Sequence, residues 1–243
     1  MRRRPRKRHV QLTLDDTRKP AGTHGGWRPN AGRPKVRFGV THDRRAEVAP
    51  THPQHVTHRI VDDVPSLRRG PVVEVIRAAI AAAHTPEFRV AEFVIESNHL
   101  HMIIEAASND ARSRGLKGLM GRIARGVNRT FGRTGKVFAD RFHARALKTP
   151  REVRNALRYV LNNTRHHDAN IELMGPTWFD PFSSGAWFGG WKPPVAADTP
   201  WKRKLLALPA PTARPRTWLL SVGWRRHGAI GFDEVPGSSR ARR

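Results

Sequence analysis

The sequence predicts an α+β fold with one central sheet, and three observations support this. Strand-like and helix-like hydrophobic periods alternate between residues 51 and 169. The flanking residues, 1–50 and 170–243, lack such periodicity and are rich in Arg, Gly and Pro or in Trp and Pro. A chain of 243 residues with 38% hydrophobic content can bury one sizeable core. We therefore expect a basic flexible arm at 1–50, a folded domain at 51–169 and an irregular basic tail at 170–243.

The first elements of the domain follow from hydrophobic spacing. His55 to Ile60 suits a strand, and Pro71 to Ala83 repeats apolar residues at helical spacing. Phe88 to Ile95 and His99 to Ala106 have the composition of two strands joined by a short turn. An amphipathic helix follows, with an apolar stripe on one side. Its other side carries a basic stripe made of Arg122, Arg125, Arg129 and Arg133.

A last strand and a last helix complete the domain. Val137 to Leu147 is strand-like, although Asp140 and Arg141 interrupt it. Thr149-Pro150-Arg151-Glu152 is a capping box with Pro at the first helical position, so we expect a helix from there to about His166. The resulting β-α-β-β-α-β order is typical of a ferredoxin-like sheet, here followed by a C-terminal helix.

The distribution of charge predicts a nucleic-acid partner. The net charge is +25, and residues 111–169 contain 15 basic and 3 acidic residues, whereas residues 51–110 contain 5 basic and 8 acidic ones. A patterned excess of Arg and Lys is the electrostatic footprint of a phosphate backbone. A basic protein that merely adheres to acidic surfaces is the alternative.

Other function classes are excluded by composition. The absence of cysteine excludes disulfides, thiolate metal sites and a cysteine nucleophile. The sequence has no apolar run of membrane-spanning length, and its basic start leads into no signal-peptide stretch. We therefore expect a cytoplasmic protein of bacterial type, associated with the nucleoid and without a membrane partner.

The triplet His99-Leu100-His101 is the first candidate site, because it lies in an otherwise apolar strand. Side chains at i and i+2 of a strand share a face, so the two imidazoles can converge on one cation. With 13 histidines in 243 residues, chance alone gives roughly 0.7 such triplets. A hydrolase that binds metal through His-x-His usually adds Asp and His just after it, where this chain has Ile103 and Ile104.

Tyr159 is the only tyrosine of the chain and lies within the capped helix. On a helical wheel it falls about 200° from Leu157, which belongs to the apolar face. It therefore shares the polar face with Asn155 and Asn163, and a core role fits poorly. A surface tyrosine without a role is the alternative.

Three segments together resemble a known family: Asn98-His99-Leu100-His101, then Val137 to His143, then Arg158-Tyr159-Val160-Leu161-Asn162-Asn163. They are similar to the single-tyrosine transposases of the His-hydrophobic-His endonucleases, in particular the branch associated with repetitive extragenic palindromes. The resemblance covers about residues 51–169. It departs from the family at two places, where many members have Met-Pro before the Asn-His and Pro after the helix Asn. This chain has Glu96-Ser97 and Thr164 there.

The resemblance implies a metal-dependent endonuclease and strand transferase that acts on single-stranded DNA, often beside a hairpin. His99 and His101 would bind a divalent cation, Mg²⁺ or Mn²⁺, with Asn163 as the third ligand. Asn162 is the alternative third ligand. Tyr159 would be the nucleophile and would form a 5′-phosphotyrosine.

The remaining expectations concern DNA binding and assembly. The predicted DNA-binding residues are the basic stripe and the arginines near the tyrosine, namely Arg122, Arg125, Arg129, Arg133, Arg151, Arg154 and Arg158. The sequence leaves both a monomer and a homodimer open. The rival function is a DNA-binding protein that has kept the transposase fold and lost cleavage.

Overall fold

The computed structural model describes residues 47–167, 177–193 and 199–236. The arm predicted at residues 1–50 lies outside this part of the chain, apart from its last four residues. The elements, in chain order, are β1 (Gln54–Arg59), α1 (Gly70–Ala81), β2 (Phe88–Ile95), β3 (His99–Ala106), α2 (Asn109–Thr130), β4 (His143–Ala146), α3 (Pro150–Leu161), α4 (Asn163–His167), the 3₁₀ turn Ser184–Trp187, α5 (Pro200–Leu206), α6 (Trp218–Ser221) and the 3₁₀ turn Gly223–His227.

The four strands form one sheet in the order β2-β3-β1-β4. Every neighbouring pair is antiparallel. A central β1 flanked by β3 and β4 is the ferredoxin-like arrangement, so the predicted α+β fold class is confirmed.

Helices α1 and α2 cover one face of the sheet. Leu100, Met102 and Ile104 of β3 point into this core together with the apolar stripe of α2. Two glycines let α2 approach closely, because a Cβ at Gly115 would lie 2.3 Å from the ring of Phe88 and one at Gly126 would lie 2.2 Å from Val75. Because side chains alternate along a strand, the residues of β3 between Leu100, Met102 and Ile104 point to the other face of the sheet.

Helix α3 and the C-terminal segment, residues 177–193 and 199–236, cover that other face. Leu157 and Val160 of α3 pack against Ile103 of the sheet and against aromatic residues of this segment, including Trp191 and Trp224. These tryptophans are 7% and 2% exposed. The region expected to be an irregular tail thus contributes a second hydrophobic core.

Two elements are shorter than predicted. The strand expected over Val137 to Leu147 is reduced to β4, and the backbone N–H of Arg141 donates to the Asp140 side chain just before it. The helix expected to reach His166 breaks at Asn162 and resumes as α4. The Asn162 amide donates to the carbonyls of Gly231 and Glu234, so contact with the C-terminal segment accompanies the break.

Candidate active site

Strand register brings the site's polar residues together on the α3 face. Thr57 of β1 lies opposite His101 of β3 and opposite His143 of β4. One pair further along, His55 lies opposite Ile103 and opposite Arg145. Neighbours across antiparallel strands share a face, so a row of polar groups runs across three strands beneath α3.

The two predicted metal ligands meet at their Nε2 atoms. His99 Nε2 and His101 Nε2 are 2.8 Å apart. At the opposite side of each ring an oxygen is in place: Asn98 Oδ1 lies 2.7 Å from His99 Nδ1, and Thr57 Oγ1 lies 2.9 Å from His101 Nδ1. If each Nδ1–H donates to its oxygen, both Nε2 lone pairs point at each other.

Two bare lone pairs at this distance repel unless a proton or a cation lies between them. Two imidazole nitrogens 2.8 Å apart are near enough for one divalent cation to be bound by both. The donor set of the two histidines therefore fits a divalent cation, with Asn98 and Thr57 orienting the rings.

The Tyr159 hydroxyl lies beside this pair, 3.4 Å from His101 Nε2. Its side chain is half-buried, and it lines a cleft of about 370 Å³ with His55, Arg145 and Arg158. Burial, and then the charge of Glu96, raise the pKa of the phenol above its usual value. The tyrosine is therefore neutral at pH 7 and needs activation to act as a nucleophile.

His55 is a member of the site that the sequence did not indicate. Its Nε2 lies 3.2 Å from His101 Nδ1, and its ring meets Tyr159 edge-on with centroids 5.5 Å apart. Burial, then His143 and Arg145, lower its pKa to about 4. His55 is thus neutral at pH 7 and adds no positive charge beside the histidine pair.

The predicted third ligand, Asn163, has a different partner. It is fully buried, and its Nδ2 donates to Glu96 Oε1 at 2.7 Å. Its Oδ1 is buried with no hydrogen-bond partner among the described residues, which leaves an oxygen that could serve a cation. In the described part of the chain, no group of three or more His, Asp or Glu side chains is arranged to hold a metal.

The basic stripe of α2 lies on the other side of the sheet from the tyrosine. Helix α2 packs in the first core, whereas α3 packs in the second. Arg122, Arg125 and Arg129 are exposed there. Arg133 is tied to Asp63 at 2.7 Å, so this member of the stripe has an acidic partner.

The arginines of α3 divide into two groups. Arg151 is exposed. Arg154 is bound to the C-terminal segment: it donates to the carbonyls of Gly228 and Ala229 and to both carboxylate oxygens of Glu234. These bonds use all three of its nitrogens, and the DNA-binding role of Arg154 stays a prediction. Arg158 lines the cleft, 4.0 Å from Glu234.

No protein-family model and no curated protein matches this sequence. One solved structure similar to it is a REP-associated tyrosine transposase bound to a REP hairpin. The identity is 18%, the TM-score is 0.47, and the match covers 60% of this chain and 82% of that one. Both similarity values are low, so the family assignment stays a proposal.

Sequence reasoning missed the groups that β1 and β4 bring to the site. His55, Thr57 and Arg145 are distant in sequence from the His triplet, and strand register brings Thr57 opposite His101 and Arg145 opposite His55. The alternation of His55 and Thr57 in β1 was the available signal, because it matches the alternation of His99 and His101 in β3.

No helix in the described part of the chain has the length and hydropathy to span a bilayer.

Proposed function

We propose that this protein is a single-tyrosine DNA nuclease and strand transferase that acts on single-stranded DNA beside a hairpin. The observation that carries the proposal is that two groups meet at His101 Nε2. His99 Nε2 lies 2.8 Å from it, and the Tyr159 hydroxyl lies 3.4 Å from it. Of these three groups Tyr159 lines the open cleft, together with Arg145 and Arg158. The resemblance of the surrounding motifs to the transposase family agrees with this chemistry.

Each residue has a role in the proposed reaction. Tyr159 attacks phosphorus, so that an O–P bond forms while the P–O3′ bond breaks. The products are a 5′-phosphotyrosine and a 3′-hydroxyl, the phenol proton being lost to a base and a proton being taken up by the 3′ oxygen. Arg145 and Arg158 bind the backbone phosphates that enter the cleft.

The proposed cofactor is Mg²⁺ or Mn²⁺, held by His99 and His101, with Asn163 as the candidate for the third ligand. Bound there, it supplies Lewis-acid polarisation of the phosphate and offsets the charge that develops during attack. Hydrogen bonds from each Nδ1–H to Thr57 and Asn98 would turn the two Nε2 atoms towards the cation.

One observation favours the rival function, DNA binding without cleavage. The Asn163 amide is engaged by Glu96, and the described residues offer only two histidines at the pair itself. A two-ligand site binds a cation weakly and would leave the tyrosine without activation. The test must therefore separate DNA binding from covalent attack.

The experiment is a covalent-adduct assay. The protein is incubated with 3′-end-labelled hairpin DNA that carries single-stranded flanks, in Mn²⁺ or in EDTA, and denatured products are separated by electrophoresis. We expect a labelled protein adduct in Mn²⁺ alone, which Tyr159→Phe abolishes. Because Tyr159 is the only tyrosine, a phosphotyrosine in the adduct identifies its position.

Matched variants make the assay decisive. His99→Ala should abolish the adduct and retain most of the DNA affinity, whereas His227→Ala, an exposed histidine outside the site, should leave both unchanged. Direct titration of the two variants with Mn²⁺ gives a readout independent of cleavage. Hairpin binding without any adduct, across several hairpins and in both metals, would establish the binding-only function instead.

A further inference from the structure

A second cavity lies across α3 from the tyrosine cleft. It has a volume of about 470 Å³ and is enclosed by β2, α3 and the C-terminal segment. Leu157 lines this cavity, whereas its neighbours Ala156 and Tyr159 line the cleft. A helix with its side chains is about 10–12 Å across. About three stacked nucleotides, at about 3.4 Å each, cover that distance, so one DNA strand can reach both the cleft and the second cavity.

The walls of this cavity are aromatic. Trp187, Phe188 and Trp224 line it. The rings of Phe188 and Trp224 are stacked, with centroids 5.7 Å apart and planes inclined by 30°. Trp187 and Phe188 are only half-buried, so their rings border space that a planar ligand can enter. Stacking on such rings is the sequence-tolerant way in which proteins bind unpaired bases.

The inner end of the cavity carries a single carboxyl group. Glu92 is 8% exposed and lies on the α3 face, because it pairs with Ile103 beyond an irregularity in the pairing at Ala91. Ser184 Oγ donates to its Oε2 at 2.5 Å. A carboxyl group in either protonation state keeps an oxygen that accepts a hydrogen bond, and the exocyclic amines of adenine, cytosine and guanine are donors of the right kind.

The mouth of the cavity is basic. Arg214 and Arg225 line it and are exposed. The Arg225 guanidinium lies over the Trp224 ring, 4.7 Å from its centroid. Residues 199–232 contain seven Lys or Arg and no Asp or Glu. The charge of this surface is thus complementary to a phosphate backbone.

We propose that the cavity binds one unstacked nucleobase of a single DNA strand. The base lies against the aromatic wall, its exocyclic amine donates to Glu92, and its phosphate contacts Arg214 and Arg225. Thymine has no exocyclic amine, so the site selects adenine, cytosine or guanine over thymine. This inference rests on the proposed function for the identity of the ligand as DNA, but it requires neither cleavage nor a metal.

The test uses full-length Tyr159→Phe protein in EDTA, which removes the reaction from the measurement. Tryptophan fluorescence is followed while oligothymidylate, or the same oligomer with one central dA, is added. We expect the dA oligomer to bind roughly 5-fold more tightly, the effect of about one hydrogen bond. The quenching should be reduced in Trp187→Phe, because Trp224 also lines the cavity, and kept in Trp201→Phe, a half-buried tryptophan outside the cavity.

Two further pairs of variants test the polar contacts. Glu92→Leu should abolish the preference for dA, and Glu92→Gln, which keeps an acceptor oxygen, should retain it. Arg214→Gln should lower the salt dependence of log K by about 0.7, the value for one phosphate contact with a single strand. Arg203→Gln removes the same charge from an exposed site outside the cavity and should change the slope less.

Equal affinity for the two oligomers overturns the proposal, as does full quenching in Trp187→Phe. Binding of free AMP as tightly as the dA oligomer assigns the cavity to a mononucleotide and overturns the strand-bound base. Loss of the covalent adduct in the Mn²⁺ assay alone bears on the proposed function and not on this cavity. Failure of both assays would reject DNA as the ligand.

Discussion

Replacing Glu92 with Gln should stabilise the protein, increasingly so as the pH rises from 6 to 8. Burial raises the pKa of Glu92 from 4.5 to about 8, against the opposing hydrogen bond from Ser184. Because the folded-state pKa is above the unfolded one, the folded protein binds the extra proton. The contribution of this group to stability is complete below the unfolded value of 4.5 and is lost as the pH rises towards 8.

The size of the effect follows from the linkage relation. One pH unit between the two pKa values costs 1.36 kcal/mol, and the cost tapers as the pH approaches the folded value. Between pH 6 and pH 8 the wild type should lose about 2 kcal/mol through Glu92, a loss that Gln does not suffer. For a chain of this size the difference corresponds to a relative gain in Tm of about 4–8 °C.

The assay is denaturant unfolding of both proteins at pH 6, 7 and 8, followed by circular dichroism. Comparison at each pH cancels the titration of all other groups. Glu87→Gln, at an exposed glutamate, is the matched control and should give a nearly constant difference from wild type. A Glu92→Gln difference that stays constant, or that falls with rising pH, would refute the reasoning.

Three further predictions concern the site and its support. Thr57→Val removes the acceptor of the His101 Nδ1–H and should weaken Mn²⁺ binding by about 10-fold in a calorimetric titration. Arg154→Ala should lower the free energy of unfolding by about 3 kcal/mol in a denaturant titration, because it breaks four bonds to the C-terminal segment. Arg145→Gln should reduce Mn²⁺-dependent cleavage roughly 5-fold, whereas Arg125→Gln, on the other side of the sheet, should change it less than 2-fold. Equal effects of the last two would contradict the assignment of the cleft as the DNA path.

The sheet and the first core were predictable because their signals are local. Alternation in β3 separates Leu100 and Met102 from His99 and His101, and a 3.6-residue period marks the buried side of α2. The capping box at Thr149 predicted the start of α3 to the residue. Patterns of this kind depend on neighbours within a few positions along the chain.

The remainder of the site depends on pairings that no local pattern contains. Thr57 and Arg145 enter through strand register, and the contact that ends α3 comes from residues some 70 positions later. The wheel that placed Asn163 beside Tyr159 assumed an unbroken helix. The break at Asn162 changes the course of the chain between them, and Asn163 is found bonded to Glu96.

The two positions at which the chain departs from the family it resembles meet at one guanidinium group. Arg68 Nη1 lies 3.5 Å from Glu96 Oε2 and 3.4 Å from Thr164 Oγ1. It also forms a two-bond pair with Asp180, at 2.9 and 3.0 Å. The buried carboxylate of Glu96 needs a cationic partner of this kind. The Thr164 hydroxyl donates to Asp180, a hydrogen bond that a proline at this position could not form.

These contacts connect three parts of the chain whose relative positions matter for the proposed reaction. Glu96 belongs to the turn that carries His99, because its N–H donates to the His99 carbonyl. Thr164 follows Asn163 on α4, and Asp180 belongs to the C-terminal segment. Glu96 and Thr164 thus belong to one network, which fixes the turn before the histidine pair against the helix that follows the tyrosine.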